Sequence, residues 1–258
     1  MNQERPNMFD LTGKRAVVTG ARRGIGLAMA AALADAGANI VALSASMEDT
    51  GSEVQRRVEG AGRSFEGFAV DLSDRGAVDE FIAHLDRDGL EVDILVNNAG
   101  TILRAPAADH EDTMWDEVLE TNLTSAFRLA RAVARPMLER GRGKIIFTAS
   151  LLSFQGGINV VSYTASKSAV AGLTKALSNE WAADGLNVNA IAPGYIATDN
   201  TQALRDDPDR REAITSRIPA GRWGSPEDIS GATVFLSSAA SDYVNGIVLP
   251  IDGGWLGR

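Results

Sequence analysis

Tyr163 and Lys167 stand four residues apart in the run Tyr163-Thr164-Ala165-Ser166-Lys167, inside a helical pattern that extends from Tyr163 to Ala183. Residues at i and i+4 share one face of a helix, so a phenol and an ammonium can meet in a single site. A unit charge about 4 Å from the phenol, at an effective dielectric of about 20, is worth about 4 kcal/mol or about three pKa units. The spacing therefore predicts a tyrosine drawn from about 10 toward neutrality, an acid/base suited to moving a proton on or off an alcohol or carbonyl oxygen. Upstream, Ser150 follows the apolar run Lys144–Ala149. In a parallel sheet the carboxyl ends of strands line the ligand crevice, where this hydroxyl can hold the reacting oxygen. A serine nucleophile is the competing chemistry, but no G-x-S-x-G turn surrounds Ser150, and neither His84 nor His110 stands in an evident relation to it.

A second constellation lies near the amino terminus. The strand-like run Arg15–Thr19 leads into Gly20-Ala21-Arg22-Arg23-Gly24-Ile25-Gly26 and then into a helical pattern, the context a phosphate-binding loop requires. Glycine lets the backbone turn and approach a pyrophosphate, and the helix start offers it free N–H groups and a positive dipole. The spacing G-x-x-x-G-x-G departs from the common dinucleotide fingerprint, and an ordinary glycine-rich turn is the plainer alternative. About 20 positions on, where an acid would bind the adenine-ribose hydroxyls and select NAD, stands Ser44. Serine does not repel a 2′-phosphate, and Arg22 and Arg23 can attract one or can be a solvated pair at a helix start. The residues favour no single choice between NAD and NADP; NAD is the expectation, with NADP kept.

These groups need a scaffold, and its elements are legible. Short β-branched or apolar runs alternate with helical patterns, the signature of βαβ units and a parallel sheet covered on both faces. Strands are predicted at Arg15–Thr19, Asn39–Ser44, Ser64–Val70, Asp93–Asn97, Lys144–Ala149, Asn187–Ile191 and Gly246–Ile251. Helices are predicted at Leu27–Ala36, ended by Gly37, and at Glu48–Glu59, Arg75–Leu85, Met114–Arg140 with a kink at Pro136, Tyr163–Ala183 and Pro226–Leu236. The expectation is a single α/β domain spanning residues 1–258, a doubly wound Rossmann fold with a seven-stranded parallel sheet. Residues 195–219 lack clean periodicity and read as a substrate lid.

Composition narrows the function. With 45% apolar and 23% charged side chains in 258 residues, the chain can bury a core. Thirty-four acids against 25 bases, a formal charge of −9, argue against a nucleic-acid partner. The absence of cysteine removes disulfides, thiol nucleophiles and iron–sulfur clusters. His84 lies in a helical pattern and His110 among acids, without ligand spacing, so no catalytic metal is expected. Met1–Asp10 has no apolar run of a secretory signal, and the uncharged stretch from Lys144 to Lys167 carries too many polar groups for a membrane span. A cytoplasmic location without membrane association follows as an expectation.

Taken together, Thr19-Gly20-x-x-x-Gly24-Ile25-Gly26, Asp71, Asn97-Asn98-Ala99-Gly100, Asn122, Ser150, Tyr163-x-x-x-Lys167 and Pro193-Gly194 resemble the short-chain dehydrogenase/reductase family in order and spacing along essentially the whole chain. The resemblance implies hydride transfer to or from a nicotinamide cofactor, usually in a homotetramer. It implies that Tyr163 is the general acid/base, that Lys167 lowers its pKa and holds the nicotinamide ribose, that Ser150 binds the substrate oxygen, and that Asn122 holds a water in a proton relay. It also places Asp71 and Leu72 at adenine, Asn98, Ala99 and Gly100 along the cofactor, and Pro193, Gly194, Ile196 and Thr198 on the nicotinamide side. Taken without the resemblance, Asn98 and Asn122 read as strand-end and helix hydrogen-bonding groups.

The stretches Ser150–Gly157, Ala192–Tyr195, Asn200–Gln202 and Arg217–Gly224 resemble, within that family, the group of deoxygluconate and 2-keto-3-deoxygluconate dehydrogenases, which implies a sugar-acid substrate with a secondary hydroxyl or ketone. Arg104 is the nearest cation for its carboxylate and Gln155 can read a hydroxyl, although each also fits a surface or loop-stabilising role. Trp223 and Trp255 read as packing or subunit-interface anchors. Two other readings stand beside this one: an NADPH-dependent ketoreductase of the acyl-carrier-protein type, and a dinucleotide sensor that does no chemistry.

Overall fold

The computed structural model describes residues 7–87 and 89–258, so residues 1–6 of the stretch inspected for a targeting signal lie outside the described residues. Its frame is a sheet of β1 (Arg15–Thr19), β2 (Asn39–Ser44), β3 (Phe65–Ala69), β4 (Ile94–Asn97), β5 (Gly143–Thr148), β6 (Leu186–Pro193) and β7 (Val248–Ile251). The strands are all parallel, in the order β3-β2-β1-β4-β5-β6-β7. Period-two alternation divides the core. Val17, Val41, Leu95, Ile145 and Phe147 pack into one apolar layer, while Ala16, Val18, Ile40, Val96 and Ile146 pack into the other. Strand order reverses between β1 and β4, and that switch point opens the crevice the chemistry needs.

The helices are α1 (Gly24–Asp35), α2 (Glu53–Gly60), α3 (Arg75–Arg87), α4 (Asp112–Leu119), α5 (Ser125–Arg140) and α6 (Val161–Trp181), followed by α7 (Gln202–Asp206), α8 (Pro208–Thr215) and α9 (Ser230–Ser237). The helix expected from Leu27 starts at Gly24, and three other predicted helices are reshaped. The helix expected from Glu48 starts at Glu53, because Gly51 turns at φ +73° and the Ser52 hydroxyl accepts the Gln55 N–H at 3.1 Å, capping the helix there. The predicted helix Met114–Arg140 is interrupted by a π-helical turn at Glu120–Thr124, well before Pro136, which sits inside α5. The stretch predicted from Pro226 opens as a 3₁₀ turn, Pro226–Ile229, before α9.

Residues 195–219 are more ordered than their sequence suggests. A 3₁₀ turn at Asp199–Thr201 precedes α7 and α8, and Ile214 and Ile218 pack with Leu151 and Trp255 in a small core of their own. Trp223 and Trp255 are packing residues here: Tyr195 stacks against both, and the Arg217 guanidinium lies 4.0 Å from the Trp255 ring.

Gly37 ends α1 as predicted, at φ +115° with its N–H donating to the Ala34 carbonyl at 2.9 Å. A Cβ there would lie 2.6 Å from the Thr12 nitrogen. Gly37→Ala is expected to cost about 2 kcal/mol or more, read as a lower urea midpoint at unchanged m-value.

Candidate active site

The carboxyl ends of β1, β2, β4, β5 and β6 border a cavity of about 360 Å³. At one end the chain leaves β1 through Gly20 at φ +66° and Gly24 at φ +57°, and a Cβ on Gly26 would lie 2.2 Å from the Gly20 carbonyl oxygen. The first turn of α1 carries no acidic residue, and its N-cap, Arg23, makes no side-chain cap. Gly24, Ile25 and Gly26 line the cavity, so uncapped helix N–H groups stand at its wall. This cradle fits the pyrophosphate of a dinucleotide. Ser44, Asp71 and Leu72 line the neighbouring wall; Asn98, Ala99, Gly100, Pro193, Gly194, Ile196 and Thr198 continue it toward Ser150, Tyr163 and Lys167.

Thr19 locks the middle of the crevice. Its hydroxyl accepts the N–H groups of Asn98 and Ala99, both at 2.9 Å, while the Asn98 amide donates to the Thr19 carbonyl at 3.0 Å. These bonds join the ends of β1 and β4 across the switch point. Asn122 does the same for the following segment. Its Oδ1 accepts the Thr101 N–H at 2.8 Å, and its Nδ2 donates to the Thr101 carbonyl at 2.9 Å and to the Ser166 hydroxyl at 3.1 Å. Both amide protons are thus engaged, and the side chain itself is not part of the cavity wall; it lies in the π turn that also brings Thr121 to that wall.

Lys167 is 3% exposed, and its Nζ donates to the Thr148 carbonyl oxygen at 2.6 Å. The ammonium sits 5.6 Å from the centre of the Tyr163 ring. Burial pushes it down from 10.5 to about 8. Burial also pushes the Tyr163 phenol above its ordinary 10, against a hydrogen bond with Ser150 and the positive charge of Arg104, both of which draw it down. This corrects the expectation of a phenol carried toward neutrality by the lysine. The ammonium is aimed at a backbone carbonyl, and desolvation acts on both groups in the direction of their neutral forms. Ser150 caps the 3₁₀ turn Leu151–Ser153 by accepting the Leu152 N–H, and the Ser153 hydroxyl donates to the Lys167 carbonyl at 2.6 Å.

Besides Asn122, three residues put forward from sequence lie off the cavity wall. Arg22 is paired with Glu48 at 2.7 Å. Arg104 donates to the Asn200 carbonyl at 3.4 Å, within electrostatic reach of Tyr163. Gln155 accepts the Trp255 indole N–H at 3.3 Å, which gives it a loop-stabilising role. Arg23 does line the cavity and is tied to Asp199, another lining residue, at 2.6 Å. Sequence reasoning missed Thr148, Ser153, Ser166 and Asp199. The Ser-rich run around Tyr163 was a signal for Ser166, whereas a backbone carbonyl such as that of Thr148 leaves none. Among the described residues no group of three or more acidic or histidine side chains is arranged to hold a metal, and His84 packs against the Phe68 ring.

The family model described as enoyl-(acyl carrier protein) reductase matches residues 20–256. A 2-dehydro-3-deoxy-D-gluconate 5-dehydrogenase of Pseudoalteromonas atlantica is 58% identical over 250 residues, covering 97% of this chain and 98% of the relative. The gluconate 5-dehydrogenase of Gluconobacter oxydans is 43% identical, covering 96% and 97%. Among solved structures, a gluconate 5-dehydrogenase from Burkholderia cenocepacia in complex with NADP and tartrate superposes with a TM-score of 0.91 at 40% identity, covering 97% of this chain and 98% of that one. The chain belongs to the short-chain dehydrogenase/reductase family. It is an oxidoreductase that uses a nicotinamide cofactor.

The lysine's position has a thermodynamic signature. Below about pH 8 both the folded and unfolded states hold the proton, and the folded state bears the whole desolvation cost, on the order of 3 kcal/mol. Between about 8 and 10.5 the unfolded chain holds more protons, so stability rises with pH. Lys167→Met should therefore resist urea better than the parent at pH 7, with a margin that shrinks through this window. A margin independent of pH would contradict the buried ammonium.

Proposed function

We propose that this enzyme transfers hydride between nicotinamide and a secondary hydroxyl or ketone of a deoxy or 2-keto-3-deoxy sugar acid. The observation that carries the reading is the meeting of Ser150 and Tyr163, hydrogen-bonded to each other, on the wall of the cavity that the glycine turn also borders. A carboxylate held by Arg104 sets a carbinol carbon farther along the same short chain beside the two hydroxyls. The names of the relatives support the substrate class. So does the carboxylic-acid ligand in the Burkholderia complex.

In this reading Ser150 holds the substrate oxygen and Tyr163 Oη exchanges the proton with it. When bound, the nicotinamide accepts or supplies the hydride. Lys167 keeps a positive charge under the Tyr163 ring, and its grip on Thr148 fixes the height of α6 above β5. Asn122 acts through position: it pins Thr101 and Ser166, and the Ser166 hydroxyl in turn donates to the Tyr163 carbonyl at 2.8 Å. A proton path past Asn122 uses backbone groups of the π turn, since both side-chain protons are engaged. Residues 195–219 close over the substrate, with Arg104 at Asn200 as a contact between the two sides. The cofactor contacts inferred for Gly20 to Gly26, Ser44, Asp71, Leu72, Asn98 to Gly100 and Pro193 to Thr198 follow from their shared wall.

A homotetramer in the cytoplasm completes the proposal. It is supported by exposed apolar side chains at Trp115, Val161, Tyr243 and Ile247, and among the described residues no helix is long and apolar enough to cross a membrane. The acyl-carrier-type reading leaned on Arg23 and on the lack of an acid at Ser44; Arg23 is paired with Asp199 here, and Ser44 lines the cavity.

Absorbance at the nicotinamide band with a panel of sugar acids and polyols tests the proposal. Tyr163→Phe should lower kcat at least about a hundredfold while cofactor still binds, which also separates an enzyme from a sensor. Arg104→Gln should raise KM for the sugar acid about tenfold or more and leave a polyol without a carboxylate unaffected. Equal loss on both substrates would remove Arg104 from carboxylate recognition.

A further inference from the structure

Ser125 is fully buried at the point where the π turn Glu120–Thr124 becomes α5, and both of its donors reach back into the turn. Its N–H goes to the Glu120 carbonyl, five residues back. Its hydroxyl donates to the Thr121 carbonyl, four residues back, at 2.8 Å. In an α-helix that second carbonyl would take the Ser125 N–H itself. The π turn diverts the N–H by one residue, and the hydroxyl supplies the bond that is lost. A side chain without a donor at this position would leave a buried carbonyl short of a partner, or would let the N–H return to Thr121.

The two ends of the turn are held from outside it. Arg75, the first residue of α3, gives Nε and Nη2 to one Glu120 carboxylate oxygen at 2.9 and 2.6 Å, and Arg128 of α5 donates to the Arg75 carbonyl at 3.2 Å. Asn97, the last residue of β4, donates its amide to the Ala126 carbonyl at 3.1 Å. With both ends fixed, a return to the α register, about 100° of rotation and about 1.5 Å of rise for one residue, falls on Thr121 and Asn122 between them. Thr121 borders the cavity, and Asn122 holds Thr101 and Ser166. We infer that Ser125 is a positioning residue for the reaction: its hydroxyl keeps the turn in the π form and so keeps Asn122 on Thr101 and on the Ser166 hydroxyl that bonds the Tyr163 carbonyl. This rests on the roles proposed for Asn122 and Tyr163. Ser125 itself does not line the cavity, so its effect passes through the turn.

Amide hydrogen exchange at Thr101, whose N–H is held by Asn122, tests the geometry on the full chain without any substrate. Ser125→Ala should speed that exchange about tenfold or more while the amides of β6 stay as protected as in the parent. Ser125→Thr, which keeps the hydroxyl, should lie nearer the parent than the alanine variant does. With 2-dehydro-3-deoxy-D-gluconate as the probe and NAD or NADP as acceptor, Ser125→Ala should lower kcat about tenfold with KM changed less than about twofold, and it should cause no further loss in an Asn122→Ala background. Unchanged exchange at Thr101 in Ser125→Ala overturns the inference, as does a loss in kcat that adds in full to that of Asn122→Ala. If the parent oxidises no sugar acid, the substrate proposal falls, and exchange at Thr101 still decides this one. Should Ser125→Ala not fold, Ser125→Cys, close in size with a weaker donor, replaces it under the same criteria.

Discussion

An ammonium that is 3% exposed must find an acceptor inside the protein, and Lys167 finds the carbonyl of Thr148 at the last residue of β5. That single bond ties the middle of α6 to the crest of the sheet. With Lys167 fixed, Tyr163 lies one helical turn earlier on the same face, and Ser153 closes on the Lys167 carbonyl while Ser166 closes on that of Tyr163. The turn that presents Ser150 is thereby held to the helix that presents Tyr163. Gly100 belongs to the same constraint, since a Cβ there would lie 3.2 Å from Asn122 Oδ1 and 3.6 Å from Lys167 Nζ. The cost is visible in the lysine's lowered pKa, and a fold that carries such a cost in its core ties geometry at this point to function.

The rest of the site is arranged around breaks in regular structure. At the switch point the sheet leaves a crevice between β1 and β4, and Thr19 spans it with three hydrogen bonds that fix where the β4 exit loop lies. The π turn at Glu120–Thr124 interrupts what would be one long helix and sets Asn122 facing Thr101. Neither feature is itself reactive. Both hold backbone segments in positions that the cavity wall requires.

Electrostatics at the cavity is local. The chain carries a formal charge of −9, yet the two adjacent guanidinium groups of the glycine turn, Arg22 and Arg23, each have one acidic partner on a different structural element. These exposed pairs add little to stability. Their consequence is to hold each arginine in a defined direction, so that two residues of identical chemistry and adjacent position meet different structural elements.

The sequence alone determined the seven strands, whose ends moved by no more than two residues, and the glycine turn, the helix stop at Gly37 and the pairing of Tyr163 with Lys167 on one face. These follow from short-range causes: side-chain periodicity, the φ that only glycine adopts easily, and the helical repeat. Residue type and spacing marked the glycine turn, Ser44, Ser150, Tyr163 and Lys167 on the cavity border, and the family resemblance marked most of the others. Tertiary structure alone decided what each polar group meets. Lys167 took a backbone carbonyl 19 residues away, Arg23 an acid 176 residues away and Gln155 an indole 100 residues away. Desolvation likewise depends on everything packed around a group, which is why the phenol's pKa moved opposite to the direction its nearest charged neighbour in sequence implied.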